Sequence, residues 1–121
     1  MENLVVGYVN IFVANFDTAL TFYRDTLGLT PTTVDPDFGY ASFETGPASF
    51  AVTRADEPEL IGRHTGIGFM VKDIDAAHEA LVARGVEFTM PPTRQPWGGI
   101  LALFKDPDGN IFYLDPGHAD M

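Results

Sequence analysis

The chain of 121 residues has no cysteine, and its 7 Lys and Arg against 17 Asp and Glu leave a formal net charge of −10. That length suits one domain with a real hydrophobic core, and 45% apolar with 20% charged residues is the balance of a globular rather than a disordered chain. The excess of acid opposes binding to nucleic-acid phosphates and anionic lipid, and the missing cysteines exclude a disulfide framework, a thiolate nucleophile and a thiolate metal site.

From the amino terminus, Glu2 stands where a signal peptide carries basic residues. No run approaches the roughly 18 apolar residues of a membrane helix. A cytoplasmic protein, without membrane or nucleic-acid partners, is expected. Val9, Ile11 and Val13 then alternate with Tyr8, Asn10 and Phe12, the period of a strand. Asn15 caps a helix that runs to Gly28, with Phe16, Leu20, Tyr23 and Leu27 forming one apolar face at helical spacing. Residues 29–34, rich in threonine and interrupted by Pro31, read as an edge strand. Two alternating runs flank Thr45, Gly46 and Pro47: Ala41 with Phe43 before the turn, and residues 49–53 after it. They form a hairpin.

Residues 54–63 are charged, hold Pro58 and show no period, so they form a linker. The same order then repeats. Residues 66–71 make a strand, and Asp73 caps a helix closed at Gly85, with Ile74, Ala77, Leu81 and Val82 inward and His78 at the edge of the stripe. Strands follow at 86–89, 100–104 and 111–115; residues 91–99, with three prolines and the only tryptophan, form a stiff loop suited to the wall of a site. The fold class is therefore α+β. A single domain over residues 1–121 holds two tandem βαβββ modules, at about 4–53 and 64–116.

Three stretches carry a resemblance. Phe104-Lys105-Asp106-Pro107-Asp108-Gly109-Asn110 with the apolar strand behind it, Phe22-Tyr23-Arg24-Asp25-Thr26-Leu27-Gly28-Leu29, and Gln95-Pro96-Trp97-Gly98 resemble, in order, segments of the vicinal oxygen chelate superfamily. That superfamily includes glyoxalase I, extradiol dioxygenases and bleomycin-resistance proteins. Asp-Pro-Asp-Gly-Asn is also plain turn chemistry: proline presets φ, glycine takes positive φ, and the Asp and Asn side chains satisfy turn amides. The resemblance implies curved mixed sheets forming a cup, helices outside and ligand inside.

Alternation then assigns side chains to the cup. Tyr8, Asn10, Phe12, Tyr40, Ser42, Glu44, Ser49, Ala51 and Thr53 point there from the first module. Gly66, Gly68, Met70, Ile111, Tyr113 and Asp115 do so from the second, with Phe38 and Trp97 as further aromatic walls. Metal-dependent members of the superfamily place His, Glu or Gln on the first, fourth, fifth and eighth strands. The matching positions here are Tyr8, a site near Ala51, Gly66 and Tyr113, not a usual donor set for a divalent ion. Of the three histidines, His64 lies two residues before the fifth-strand position, as a loop residue or a displaced ligand; His78 is on a helix, and His118 is in the tail.

No Ser-His-Asp constellation, nucleophile elbow or phosphate-binding glycine loop is present, and Gly66-Ile67-Gly68 is too short for a dinucleotide fingerprint. No catalytic residue, metal ligand or cofactor is assigned. The resemblance implies a metal-independent binding protein of the bleomycin-resistance type that sequesters an aromatic or cationic compound and works as a homodimer. Its ligand-contacting residues are Tyr8, Asn10, Phe12, Phe38, Tyr40, Glu44, Ser49, Gly66, Gly68, Trp97, Tyr113 and Asp115. The alternative is an enzyme of the same superfamily, a lyase, isomerase or dioxygenase, using displaced ligands such as His64.

Overall fold

The computed structural model describes residues 1–117. His118 and Asp120 lie outside the described residues. The chain forms two compact units, Met1–Ile61 and the residues from Gly62 onward. Each is a strand, a helix and three further strands: β1 (Tyr8–Val13), α1 (Phe16–Leu20), β2 (Thr30–Asp35), β3 (Tyr40–Glu44) and β4 (Ser49–Arg54), then β5 (His64–Met70), α2 (Ile74–Ala83), β6 (Glu87–Arg94), β7 (Ile100–Lys105) and β8 (Ile111–Asp115). The sheet orders are β1-β4-β3-β2 and β5-β8-β7-β6, the same topology twice. β1 with β4, and β5 with β8, pair in parallel; the other neighbours are antiparallel. A parallel pair needs a long crossover, supplied in each unit by the helix and two intervening strands.

Both helices begin as expected. Asn15 accepts the Thr18 N–H at 3.1 Å and Asp73 accepts the Ala76 N–H at 3.0 Å, each occupying one of the orphan donors of a first turn. One face of each sheet packs under its helix. In the first unit Ile11, Val13, Ala41, Phe43, Phe50 and Val52 are buried with Phe16, Ala19, Phe22 and Tyr23. Tyr23 is 0% exposed, its ring 5.6 Å from that of Phe50. In the second unit Phe104 and Phe112 stack at 5.6 Å beside Ala102, Leu114, Ile74 and Val86, all buried.

Several expectations need correction. The first helix is not one α-helix to Gly28: after Leu20 it widens into a π-helical segment, Thr21–Thr26, and the Leu27 N–H donates to the Phe22 carbonyl five residues back. The buried stripe runs through Phe16, Ala19, Phe22 and Tyr23, while Leu20 and Leu27 are only half-buried. Val82 is 49% exposed, because α2 is short and packs through Ile74 at its start. The proline stretch is not simply a loop: β6 runs through Pro91 and Pro92 to Arg94, which an edge strand with register shifts tolerates, having few partners to deprive. His64 is the first residue of β5 rather than a loop residue, paired with Ile111.

The turn after β7 is built as its side chains imply. Asp106 Oδ1 accepts the N–H groups of Asp108 and Asn110 at 3.0 and 2.8 Å. No helix among the described residues is long and apolar enough to cross a membrane.

Candidate functional site

The faces turned away from the helices carry the candidate residues. In the first unit strand register sets three rows across β1, β4 and β3: Tyr8–Ser49–Glu44, Asn10–Ala51–Ser42 and Phe12–Thr53–Tyr40. Tyr8, Asn10, Phe12, Tyr40, Glu44 and Ser49 therefore share one face. Its middle is small and polar. The Thr53 hydroxyl donates to Asn10 Oδ1 at 2.7 Å, and the hydroxyls of Thr32 and Ser42 are also 2.7 Å apart. Phe38 stands apart in the turn between β2 and β3, where its N–H donates to Asp35 Oδ1 at 3.1 Å and its side chain is exposed.

In the second unit five of the expected residues surround one depression. Gly66 and Gly68 of β5, Tyr113 and Asp115 of β8, Leu101 of β7 and Trp97 line a concavity of about 330 Å³. The floor is open because β5 is irregular. Between its pairings His64–Ile111 and Gly68–Tyr113, four steps along β5 match two along β8. Gly66 takes the bulge with φ of 71°, in the left-handed region that favours glycine. The Thr65 side chain takes over the lost ladder bonds, its hydroxyl donating to the Ile111 carbonyl at 2.7 Å and accepting the Ile67 N–H at 3.1 Å.

Trp97 is 57% exposed and sits on a tight loop. The Gln95 N–H donates to the Gly99 carbonyl at 2.7 Å, the Gly98 N–H to the Gln95 carbonyl at 2.9 Å, and Arg94 Nη1 to the Gly98 carbonyl at 3.1 Å. Gly99 keeps room for the indole: a Cβ there would stand 2.7 Å from Trp97 Nε1. Asp115 Oδ1 accepts the Gly117 N–H at 2.7 Å.

Leu101 escaped the sequence reading, whereas His64 was read there as a loop residue or a displaced ligand. Leu101 lines the concavity, and the alternation of buried Ala102 and Phe104 along β7 was the available signal that Leu101 faces the other way. His64 has its ring centroid 5.1 Å from that of Tyr113, and its Nδ1 accepts the Gly66 N–H at 3.1 Å. The bulge brings it there, and a bulge leaves no mark in alternation. His78 instead packs edge-on against Phe88 at 4.5 Å, on the helix side.

The donor chemistry at the four family metal positions does not fit a divalent ion. Ala51 and Gly66 carry no donor atom, and Tyr8 and Tyr113 offer only phenols. Among the described residues no three His, Cys, Asp or Glu lie close enough to share an ion.

A βαβββ unit built twice in one chain, with aromatic side chains standing over small ones on the open sheet faces, defines a repeat-module class of α+β protein. The profile of the Glyoxalase/Bleomycin resistance protein/Dioxygenase superfamily matches residues 5–114, and the chain belongs to that superfamily. A superfamily member of known structure from Sphaerobacter thermophilus DSM 20745 is 33% identical, with 93% of this chain and 97% of that one covered and a TM-score of 0.77. The uncharacterized protein YraH of Bacillus subtilis (strain 168) is 27% identical over 119 residues, covering 88% of this chain and 93% of the relative. A lactoylglutathione lyase from Agrobacterium tumefaciens, 20% identical over 95% of both chains with a TM-score of 0.76, shares the fold.

Proposed function

We propose that the protein is a metal-independent small-molecule-binding member of its superfamily, taking an aromatic or cationic compound. One observation carries this reading: the concavity of the second unit sets the Trp97 and Tyr113 rings and the Asp115 carboxylate around a floor of two glycines. Aromatic walls bury a planar ligand and fix its tilt, a carboxylate favours positive charge, and glycines leave the space. The donor set at the family metal positions supports the metal-independent part.

Trp97 is the only tryptophan, so its fluorescence reports the site directly. Titration with cationic polyaromatic and glycopeptide drugs is expected to change that emission saturably. No binding up to about millimolar concentration in any of them would overturn the reading.

The second reading is an enzyme in which His64 serves as a displaced ligand, favoured by its position against Tyr113. Metal analysis of the purified protein separates the two, since about one Zn, Ni, Mn or Fe per chain would favour the enzyme. A cytoplasmic homodimer belongs to the first reading. A sizing column giving only the 13.2 kDa monomer would remove the dimer.

A further inference from the structure

Among the described residues Asp115 is the only charged side chain lining the concavity, and none of the others lining it is a counter-ion. Arg24–Asp25, Arg54–Asp56 and Lys105–Glu87 form ion pairs, none of which involves it. Its Oδ1 is occupied by the Gly117 N–H, a neutral donor. A carboxylate flanked by apolar and aromatic surface has given up part of its hydration, so a cation brought from outside gains more there than at an open surface. The neighbouring rings act in the same direction, because the faces of Trp97 and Tyr113 are the negative poles of their quadrupoles. An anionic ligand meets the opposite from the Asp115 carboxylate and from both ring faces.

Size and spacing narrow the ligand further. About 330 Å³ stands at the low end of the roughly 300–1,000 Å³ over which pockets enclose drug-sized molecules. Tyr113 and Asp115 are two residues apart on the same face of β8, which at about 3.3 Å per residue separates them by roughly 6.6 Å. A ring lying on Tyr113 thus reaches the carboxylate through an arm of about two or three bonds. A bulky glycopeptide could enter this concavity only with a part of itself.

Resting on the binding reading above, we infer that the concavity selects a small aromatic monocation, one planar ring system bearing an ammonium or amidinium on a short arm. Asp115 sets that charge preference. One carboxylate answers one positive charge, so a second cationic group on the ligand adds little.

The test uses the full chain and three probes of matched shape: naphthylethylamine, naphthylethanol and naphthylacetate, titrated calorimetrically into wild type and Asp115→Asn. The asparagine keeps an Oδ1 acceptor for the Gly117 N–H and removes only the charge, so the fold, checked by circular dichroism, is retained. The amine is expected to bind wild type at least about tenfold more tightly than the alcohol, and the acetate more weakly than either. Asp115→Asn should bring the amine down to the level of the alcohol and leave the alcohol unchanged. A salt series on wild type tests the charge preference without a variant: the amine weakens as salt rises and the alcohol does not.

If wild type binds amine and alcohol equally, or Asp115→Asn keeps the difference, the inference is overturned while the binding reading stands. If none of the three probes binds, the inference is overturned as well, and the binding reading falls with it only if the drug titration above is also negative.

Discussion

Asp106 holds Asn110 at two points, accepting its backbone N–H at 2.8 Å and its side-chain N–H at 2.9 Å, with both residues buried. Asn110 passes the constraint on, its Oδ1 accepting the N–H groups of Gly62 and Arg63 at 2.9 and 3.2 Å. The turn between β7 and β8 is thereby tied to the entry of β5, the strand that supplies the floor of the concavity. Asp106→Ala leaves several buried donors without an acceptor and is expected to cost about 3 kcal/mol of unfolding free energy, hydrogen bonds to charged groups being worth about 1.5–3 each. Urea denaturation measures it, and an unchanged midpoint would show that the turn is held in some other way.

The two modules also repeat their helix caps, which gives a paired prediction. Asn15→Ala and Asp73→Ala each free one first-turn amide, at Thr18 and Ala76, and each is expected to cost about 1 kcal/mol. Asp17 and Asp75 occupy the first turns and remain in both variants, so Asn15→Ala leaves the dipole contribution unaltered, whereas Asp73→Ala also removes the cap's own negative charge from the helix N-terminus. A loss in one variant only would mean that the two helices differ in how far packing already fixes their first turns.

An ion pair on the first helix makes the opposite prediction. Arg24 Nε stands 2.8 Å from Asp25 Oδ1, and its hydrogen bond holds the Asp25 carboxyl below its ordinary range. A lowered carboxylate contributes stability above its unfolded value and loses it on acidification through the folded one. Both side chains are well exposed and the pair is screened by solvent. Asp25→Asn is therefore expected to leave the acid limb of a melting-temperature profile unchanged, and a clear shift of that limb would contradict the exposed placement.

What the sequence made legible follows from what sets each feature. The repeated strand–helix–three-strand order rests on periodicity, caps and turns, all local, and both sheets carry it. The Asp-Pro-Asp-Gly-Asn turn was legible because its side chains bond to their own backbone. The π-helical segment after Leu20 was not, since it answers to the packing of Tyr23 against Phe43 of β3 and Phe50 of β4, and a one-residue insertion leaves the composition of the helix intact. The same holds at Pro91 and Pro92, whose place in β6 depends on that strand being at the edge. At the candidate site, alternation placed Gly68, Tyr113 and Asp115 on one face. The bulge at Gly66, which brings His64 against Tyr113, is a tertiary event with no periodic signature.

The two floor glycines separate backbone from space. At Gly66 a Cβ meets nothing within 4 Å, yet φ is 71°, so Gly66→Ala is expected to cost about 1–2 kcal/mol through conformation alone. At Gly68 the backbone is ordinary and a Cβ would rest 3.6 Å from that of Tyr113, normal contact. Gly68→Leu should fold with nearly wild-type stability and yet lose ligand, because the side chain grows into the concavity. Thermal melts and calorimetric titration of both variants check the pair; stability lost at Gly68 rather than Gly66 would reverse the assignment.

Trp97 tests whether the loop before β7 is a wall or a bystander. It is exposed, so its removal deletes little buried area, and Trp97→Ala is expected to change unfolding free energy by no more than about 0.5 kcal/mol. Its indole faces the concavity, and the loss of one aromatic wall should weaken naphthylethylamine by up to about tenfold, within the roughly 0.5–2 kcal/mol of a cation–π contact. Gly99→Ala provides the complementary change. A Cβ 2.7 Å from Nε1 must push the indole aside, and since its far end is free to swing, the chain keeps its stability while the Trp97 emission and the amine affinity both shift. Wild-type affinity in both variants would take Trp97 out of the site and leave Tyr113 as its sole aromatic wall.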